Sequence, residues 1–276
     1  MEIIELITVH LSTILGLAAT GVFAGVLAGL LGVGGGIVIV PVLFFLFQSF
    51  GVSAETAMVV ATATSLATIV PTSISSIRSH WRKGNVDFSL LKRWAGWVFA
   101  GVLVGSWLVT RVDGSWLTVL FGVIATLSAL NMLFRTGKSA LFDGLPGRLG
   151  QALMGSSVGF FSSMVGIGGG TISVPLLTLY AYPAHRAVGT AAAIGLIISL
   201  PAALTMLVFG STPADAPAGT YGLVNVLGFL CIMPLTVLCA PVGVAIAHKL
   251  DAVKLKRVFA VVLLITGVRM LLQVFL

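Results

Sequence analysis

Charge is what this 276-residue chain has least of: 8% of its residues are Asp, Glu, Lys or Arg, against about 25% in soluble domains. With 58% hydrophobic residues and a mean hydropathy of +1.14, that scarcity excludes an ordinary soluble globular protein. Acidic residues are scarcer than basic ones, 8 against 15, and none falls in the interior of a predicted span, Glu55 standing at the edge of one. The carboxylate relay of proton-driven pumps and an obvious cation cage are therefore missing, which favours an anionic or neutral substrate. The two cysteines, Cys231 and Cys239, lie eight residues apart in one apolar segment, too distant along a helix for a local disulfide, and read as packing residues. No His and acid cluster has zinc spacing, no GxSxG elbow or GxxxxGKS/T phosphate loop occurs, and GVGGG fails the GxGxxG pattern. No enzyme activity, cofactor or metal is expected. The alternating strands of a membrane barrel are absent, and the opening MEIIE lacks the basic region of a cleavable signal.

What the chain has instead is long apolar runs and 33 glycines. The runs fall at about residues 7–50, 54–77, 94–110, 115–134, 149–182, 187–209, 222–247 and 258–276, long enough for membrane helices rather than strands. The first and fifth are too long for one simple helix. They are interrupted at corresponding places, by GVGGG at 32–36 and GIGGG at 166–170, each followed by a proline. GVGGGIVIVPVL (32–43) lies over GIGGGTISVPLL (166–177) at an offset of 134 with seven of twelve positions identical. A second match at an offset of 138 sets residues 111–133 over 249–271, with Asp113 over Asp251, Phe121 over Phe259 and Met132 over Met270. The expected division is a first membrane repeat at 1–134, a cytoplasmic linker at 135–148 and a second repeat at 149–276.

The basic residues set the orientation. If each broken segment folds back as a hairpin, loops 78–93, 135–148, 181–186 and 248–257 share one side and carry 13 of the 15 Lys and Arg. If each crosses once, the split is 8 against 6, hardly a bias. The positive-inside rule thus favours hairpins, with both termini external and the basic loops cytoplasmic. The +7 formal charge reads as this address and not as affinity for nucleic acid. Each half then has three full crossings plus one glycine-broken hairpin, so the expected fold is an all-α polytopic membrane protein of two inverted-topology repeats. Interrupted helices at matching positions of inverted repeats point to a secondary transporter with its site near the bilayer midplane.

The motifs GLLGVGGGIVIVPVL, GIGGGTISVPLL, ATSLATIVPTSISS and HWRKGNVD (80–87) resemble the TauE/SafE sulfite exporter family of anion permeases, over nearly the whole chain. The resemblance implies a transporter in the cell's inner or plasma membrane for a small sulfur-containing anion such as sulfite, a sulfonate or thiosulfate. It also gives His80 a role.

The site is expected at the breaks. Three consecutive glycines permit positive φ and bare amides, and each break opens a helix whose N-terminus carries partial positive charge and unpaired N–H donors. The amides of Gly34, Gly35, Gly36, Gly168, Gly169 and Gly170 are the candidate donors of an anion site that needs no basic side chain. A dense hydroxyl run from Thr62 to Ser76 adds Thr64 and Ser65, and the second half adds Thr171 and Thr190, as uncharged donors. Two registers fit this segment: an offset of 126 pairs Thr64 with Thr190, and one of 130 pairs Pro71 with Pro201. Arg269 is the charge plainly inside an apolar run, and it either binds the anion or snorkels to the interface. His10, His80, His185 and His248 are proton handles that otherwise sit at the interface. The expected activity is alternating-access transport of the anion, read as export, with import and proton or ion coupling left open. An anion channel, or a membrane partner that delivers sulfur to a soluble enzyme, are the alternatives.

Overall fold

The computed structural model describes residues 2–32, 34–134, 141–247 and 252–275, with side chains for 13–32, 34–134, 141–247 and 260–274. Linker residues 135–140, Val33 of the first break, the side chain of His10, all of His248 and Lys249, and the side chains of Lys254, Lys256 and Arg257 lie outside that set. Among the described residues there are ten helices: α1 (Glu2–Leu31), α2 (Gly36–Ser49), α3 (Ala54–Arg82), α4 (Phe88–Val109), α5 (Gly114–Phe134), α6 (Arg148–Val165), α7 (Gly170–Leu179), α8 (Ala184–Phe209), α9 (Val226–Ile246) and α10 (Ala252–Phe275). A two-residue antiparallel ribbon, β1 (Thr220–Tyr221) with β2 (Val224–Asn225), precedes α9. Five helices have candidate spans by length and composition: Thr13–Leu31, Ala54–Arg82, Gly114–Phe134, Ala184–Phe209 and Val226–Ile246. The protein is an all-α polytopic membrane protein.

Local chemistry explains where helices start and stop. Ser53 caps α3 by accepting from the Thr56 amide at 3.3 Å, and Asp87 caps α4 by accepting from the amides of Ser89 and Leu90 at 2.9 and 3.1 Å. Asn225 caps α9 from the Gly228 amide at 2.8 Å. Each side chain satisfies amides that a helix leaves unpaired at its start. At the glycine breaks the helices end in left-handed backbone, Gly32 at φ 67° and Gly166 at φ 74°, a conformation that glycine alone adopts cheaply.

α2 runs back beside α1. A methyl group placed on Gly35 would lie 2.9 Å from the Ala24 carbonyl oxygen, seven residues before the end of α1, so the chain has reversed by that point. The first broken segment is therefore the expected hairpin.

Contacts between the two groups of five helices obey a pseudo-two-fold exchange. α1 packs on α9, and its counterpart α6 packs on α4; α4 packs on α8, and α9 packs on α3; α3 meets α8 and α5 meets α10. The α1–α9 contact is a backbone seam. Methyl groups on Gly21, Gly25 and Gly29 would lie 2.8, 2.7 and 1.9 Å from the carbonyl oxygens of Ile232, Thr236 and Ala240, a four-residue step on both helices that lets them approach closely. Between these seams α3 is the most enclosed of the five candidate spans, with 78% of its most apolar stretch buried.

Candidate functional site

The two breaks meet each other. A methyl on Gly34 would lie 3.1 Å from the Gly168 Cα, and one on Gly36 would lie 2.4 Å from the Gly166 carbonyl oxygen. Ser65 Oγ, on α3, bridges the pair by donating to that same Gly166 oxygen at 2.7 Å. The breaks are not conformational copies. In the first, Gly34 (φ 73°) and Gly35 (φ 79°) are left-handed. In the second, Gly169 is right-handed (φ −55°, ψ −26°), which corrects the expectation that the triplet Gly168, Gly169, Gly170 supplies the positive φ; Gly166 does that. The reason for glycine at 169 is proximity, because a methyl there would lie 2.7 Å from Ile194 Cγ2 and 3.1 Å from the Gly195 amide nitrogen. Among the described residues, the amides of Gly34, Gly35, Gly168 and Gly169 donate to no backbone carbonyl, so helices α2 and α7 begin with unengaged donors.

The hydroxyls divide into two kinds. Thr68 and Thr72 donate to the carbonyls four residues back, at 2.9 and 2.8 Å, and Ser173 Oγ donates to Gly169 at 2.6 Å. Their protons are used inside the helix. Thr62, Ser73, Ser162, Thr171 and Ser199 are buried, and their hydroxyls have no hydrogen-bond partner among the described residues. An unpaired buried hydroxyl costs about 1–3 kcal/mol, so each of these has a proton available to a ligand or water. Three of them border the breaks directly, Thr62 with its Cα 2.8 Å from a methyl placed on Gly166. Thr171 is the second residue of α7, and a methyl on Gly195, itself beside the Gly169 amide, would lie 3.1 Å from Ser73 Oγ.

Thr64 and Thr190 have matched partners. Thr64 Oγ1 accepts from the Asn225 amide and Thr190 Oγ1 from the Asp87 amide, both at 2.9 Å. Each therefore touches the N-cap of a helix in the opposite half, which selects the 126 register for this segment. The same geometry exposes a further internal echo: Gly222-Leu223-Val224-Asn225 repeats Gly84-Asn85-Val86-Asp87 at an offset of 138, and Gly84 and Gly222 are both left-handed. Ser199, which the hydroxyl survey of the sequence left out, is the 126-register mate of Ser73.

Arg269 stands away from the breaks. It is exposed on α10 with its guanidinium 4.3 Å from the centre of the Phe45 ring. Phe45 lies nine residues along α2 from Gly36, roughly 13 Å of helical rise. His80 departs from the interfacial expectation: it is 3% exposed, with Nε2 3.0 Å from the Gly29 carbonyl of α1.

At either end of α3 a carboxylate ties loops together. Asp215, in the segment before β1, accepts from the Ser53 amide at 3.0 Å and from Thr56 Oγ1 at 2.6 Å. Hydrogen bonds from Ser53 and Thr56 hold its carboxyl down at about 2. At the other end Asp87 accepts from Ser89 and from the Tyr182 phenol, just before α8. Burial works to raise the Asp87 carboxyl, but the bonds from Ser89, Tyr182 and the Leu90 amide outweigh it and hold it well below the usual carboxylate range. Burial and the neighbouring carboxylate push the Tyr182 phenol up.

Ten helices in two exchanged groups, closing on paired backbone breaks with no acidic group between them, define an α-helical polytopic membrane protein of the broken-helix kind. The chain belongs to the sulfite exporter TauE/SafE family, whose model matches residues 17–270. It is similar to a probable membrane transporter protein of Haemophilus influenzae, 29% identical over 92% of this chain and 96% of that one. A probable membrane transporter protein of Methanocaldococcus jannaschii is 27% identical over 93% and 94% of the two chains. The corresponding protein YunE of Bacillus subtilis is 25% identical over 92% and 96%. No solved structure matches the chain. The protein is thus a multi-pass membrane transporter of the TauE/SafE type, which accords with the expected lack of enzyme activity.

Proposed function

We propose that the chain is a secondary transporter for a small sulfur oxyanion or sulfonate, held between the two glycine breaks and moved by alternating access. The observation that carries this reading is the meeting of the breaks, Gly34 against Gly168 and Gly36 against the Gly166 carbonyl. Two helix N-termini facing one point supply partial positive charge and N–H donors to an anion without a basic side chain. The unpartnered hydroxyls of Thr171 and Ser73 supply the side-chain donors, and Gly35, Gly36, Gly169 and Gly170 supply backbone. In this reading Ser65, Thr64 and Thr190 hold the halves in register around the site, and Arg269 packs on Phe45 outside it.

The two repeats, 1–134 and 149–276 joined by 135–148, are inverted in the cell's inner or plasma membrane with both termini external. The Asp215 and Asp87 ties sit at opposite ends of the 29-residue α3. In this reading the two ties act as the opposite gates of a carrier. Release of one tie while the other holds would admit the anion from one side. The family name and the name shared by the relatives support transport. The choice of a sulfur anion rests on the family's description.

The test is counterflow in proteoliposomes with sulfite, thiosulfate, sulfate, small sulfonates and chloride. Saturable exchange of one sulfur anion is expected. Absence of exchange with every anion in the panel would sink the carrier reading.

A further inference from the structure

Away from the breaks, the outward face of α3 carries a groove of 640 Å³ lined by Ile74, Ile77, Arg78, Trp81 and Arg82 together with Leu196 of α8. That volume falls within the usual range of about 300–1,000 Å³ for small-ligand sites. The five α3 residues form one stripe at helical spacing, turned away from the buried Ser76 and His80. Its chemistry is graded along the helix axis. The floor is aliphatic, and Leu196 continues along α8 into Leu200 and Leu204, 45% and 52% exposed, at the four-residue step of a face that touches acyl chains. The far end is cationic and aromatic. Arg78 and Arg82 are exposed one turn apart, and Trp81, 62% exposed, meets Phe88 edge to face at 6.0 Å.

Neither guanidinium has a hydrogen bond or ion pair among the described residues. The neighbouring carboxylate, Asp87, is engaged by Ser89 and Tyr182, and Lys83 donates to the Val244 carbonyl at 2.9 Å. Two unpaired guanidinium groups at the end of an apolar trough, beside a tryptophan of the kind that sits at headgroup level, complement one amphiphile. We infer that this groove is a binding site for a single anionic glycerophospholipid. Its phosphate is clasped by Arg78 and Arg82, its glycerol region lies by Trp81, and an acyl chain covers Ile74, Ile77 and Leu196. The occupant is a lipid and not the transported anion because the floor is apolar and continuous with the acyl-facing stripe of α8. Arg–phosphate bonds are charge-assisted and geometrically selective, so the lipid is held in place instead of exchanging with bulk. The second half has no equivalent, since the 126-register mates of Arg78 and Arg82 are Leu204 and Val208. One site per chain is expected.

The full chain, purified in detergent with mixed phosphatidylglycerol and phosphatidylcholine, tests this by native mass spectrometry. Wild type should retain one phosphatidylglycerol and no phosphatidylcholine. The double variant Arg78→Gln/Arg82→Gln should bind it about tenfold more weakly or worse, given the strength of hydrogen bonds to charged groups. Lys92→Gln/Arg93→Gln, which removes two exposed charges on α4 outside the groove, should retain it. Equal retention by both double variants and wild type, equal loss from both, or retention of phosphatidylcholine would overturn the site. Displacement of the lipid by inorganic phosphate or sulfite alone would overturn it in favour of a small-anion vestibule. The readout is lipid retention, so it stands or falls independently of transport.

Discussion

Gly36 leaves no room for a side chain where the two breaks meet. A methyl group there faces the Gly166 carbonyl at 2.4 Å, the Ile69 side chain at 2.8 Å and Ser65 Oγ at 2.9 Å. A backbone oxygen of the opposite break cannot rotate away as a flexible side chain could. Gly36→Ala should therefore separate the breaks and lower transport by at least about tenfold, or some 1.4 kcal/mol of barrier, with membrane insertion intact. Gly96→Ala is the control, because Gly96 is also helical but a methyl group there faces open space; uptake by the Gly36 variant at the Gly96 level would refute the claim. The hydroxyls separate ligand binding from stability. Thr171→Val removes no internal bond and should leave the melting temperature unchanged while weakening anion affinity about tenfold. Ser65→Ala removes the 2.7 Å bond to Gly166 and should cost about 1 kcal/mol of stability. The reverse pattern in paired melting and binding measurements would exchange their roles. The six break glycines were legible because the motif occurs twice. Ser73 and Ser199 were not, since lacking a partner is a property of their surroundings, and Arg269 found its aromatic neighbour in a distant part of the chain.

Among the elements, the instructive pair is α4 and α9. Each begins at a short Gly-x-Val-Asp or Gly-x-Val-Asn turn whose cap amide is received by a threonine of the other half, Thr190 or Thr64. Nothing local in the sequence reveals that a cap from the other half reaches these threonines; their hydroxyl oxygens accept that cap amide and keep a proton to donate. The carboxylate ties add a pH dependence. Asp215 falls from 3.8 to about 2 on folding. A depressed carboxylate contributes stability that is fully present above the unfolded value and is lost as pH falls through the folded one. The melting-temperature difference between wild type and Asp215→Asn should hold constant above pH 4 and vanish as pH falls through about 2. A difference that grows on acidification would contradict the tie. Because Asp215 is exposed, the effect should be small and weakened by salt.

For the whole molecule, the proposed inversion and its orientation meet in one experiment. In a background with Cys231→Ala and Cys239→Ala, an impermeant thiol reagent should label Asp113→Cys and Ala214→Cys from outside and Lys83→Cys only after permeabilisation. External labelling of Lys83→Cys would overturn the hairpin topology and, with it, the assignment of sides to the two ties. Composition and periodicity alone determined that the protein is helical, spans a membrane many times and repeats itself, because apolar run length, loop charge and internal identity are properties of the string. The doubled glycine motif also announced where the helices break. Only the tertiary structure decided that the breaks touch, which hydroxyls are consumed by their own helices and which are left unpaired, and that Arg269 lies over the Phe45 ring. Those outcomes depend on which residues far apart in sequence come within a few ångströms, and that is set by the close packing of small residues between helices, which no local pattern encodes.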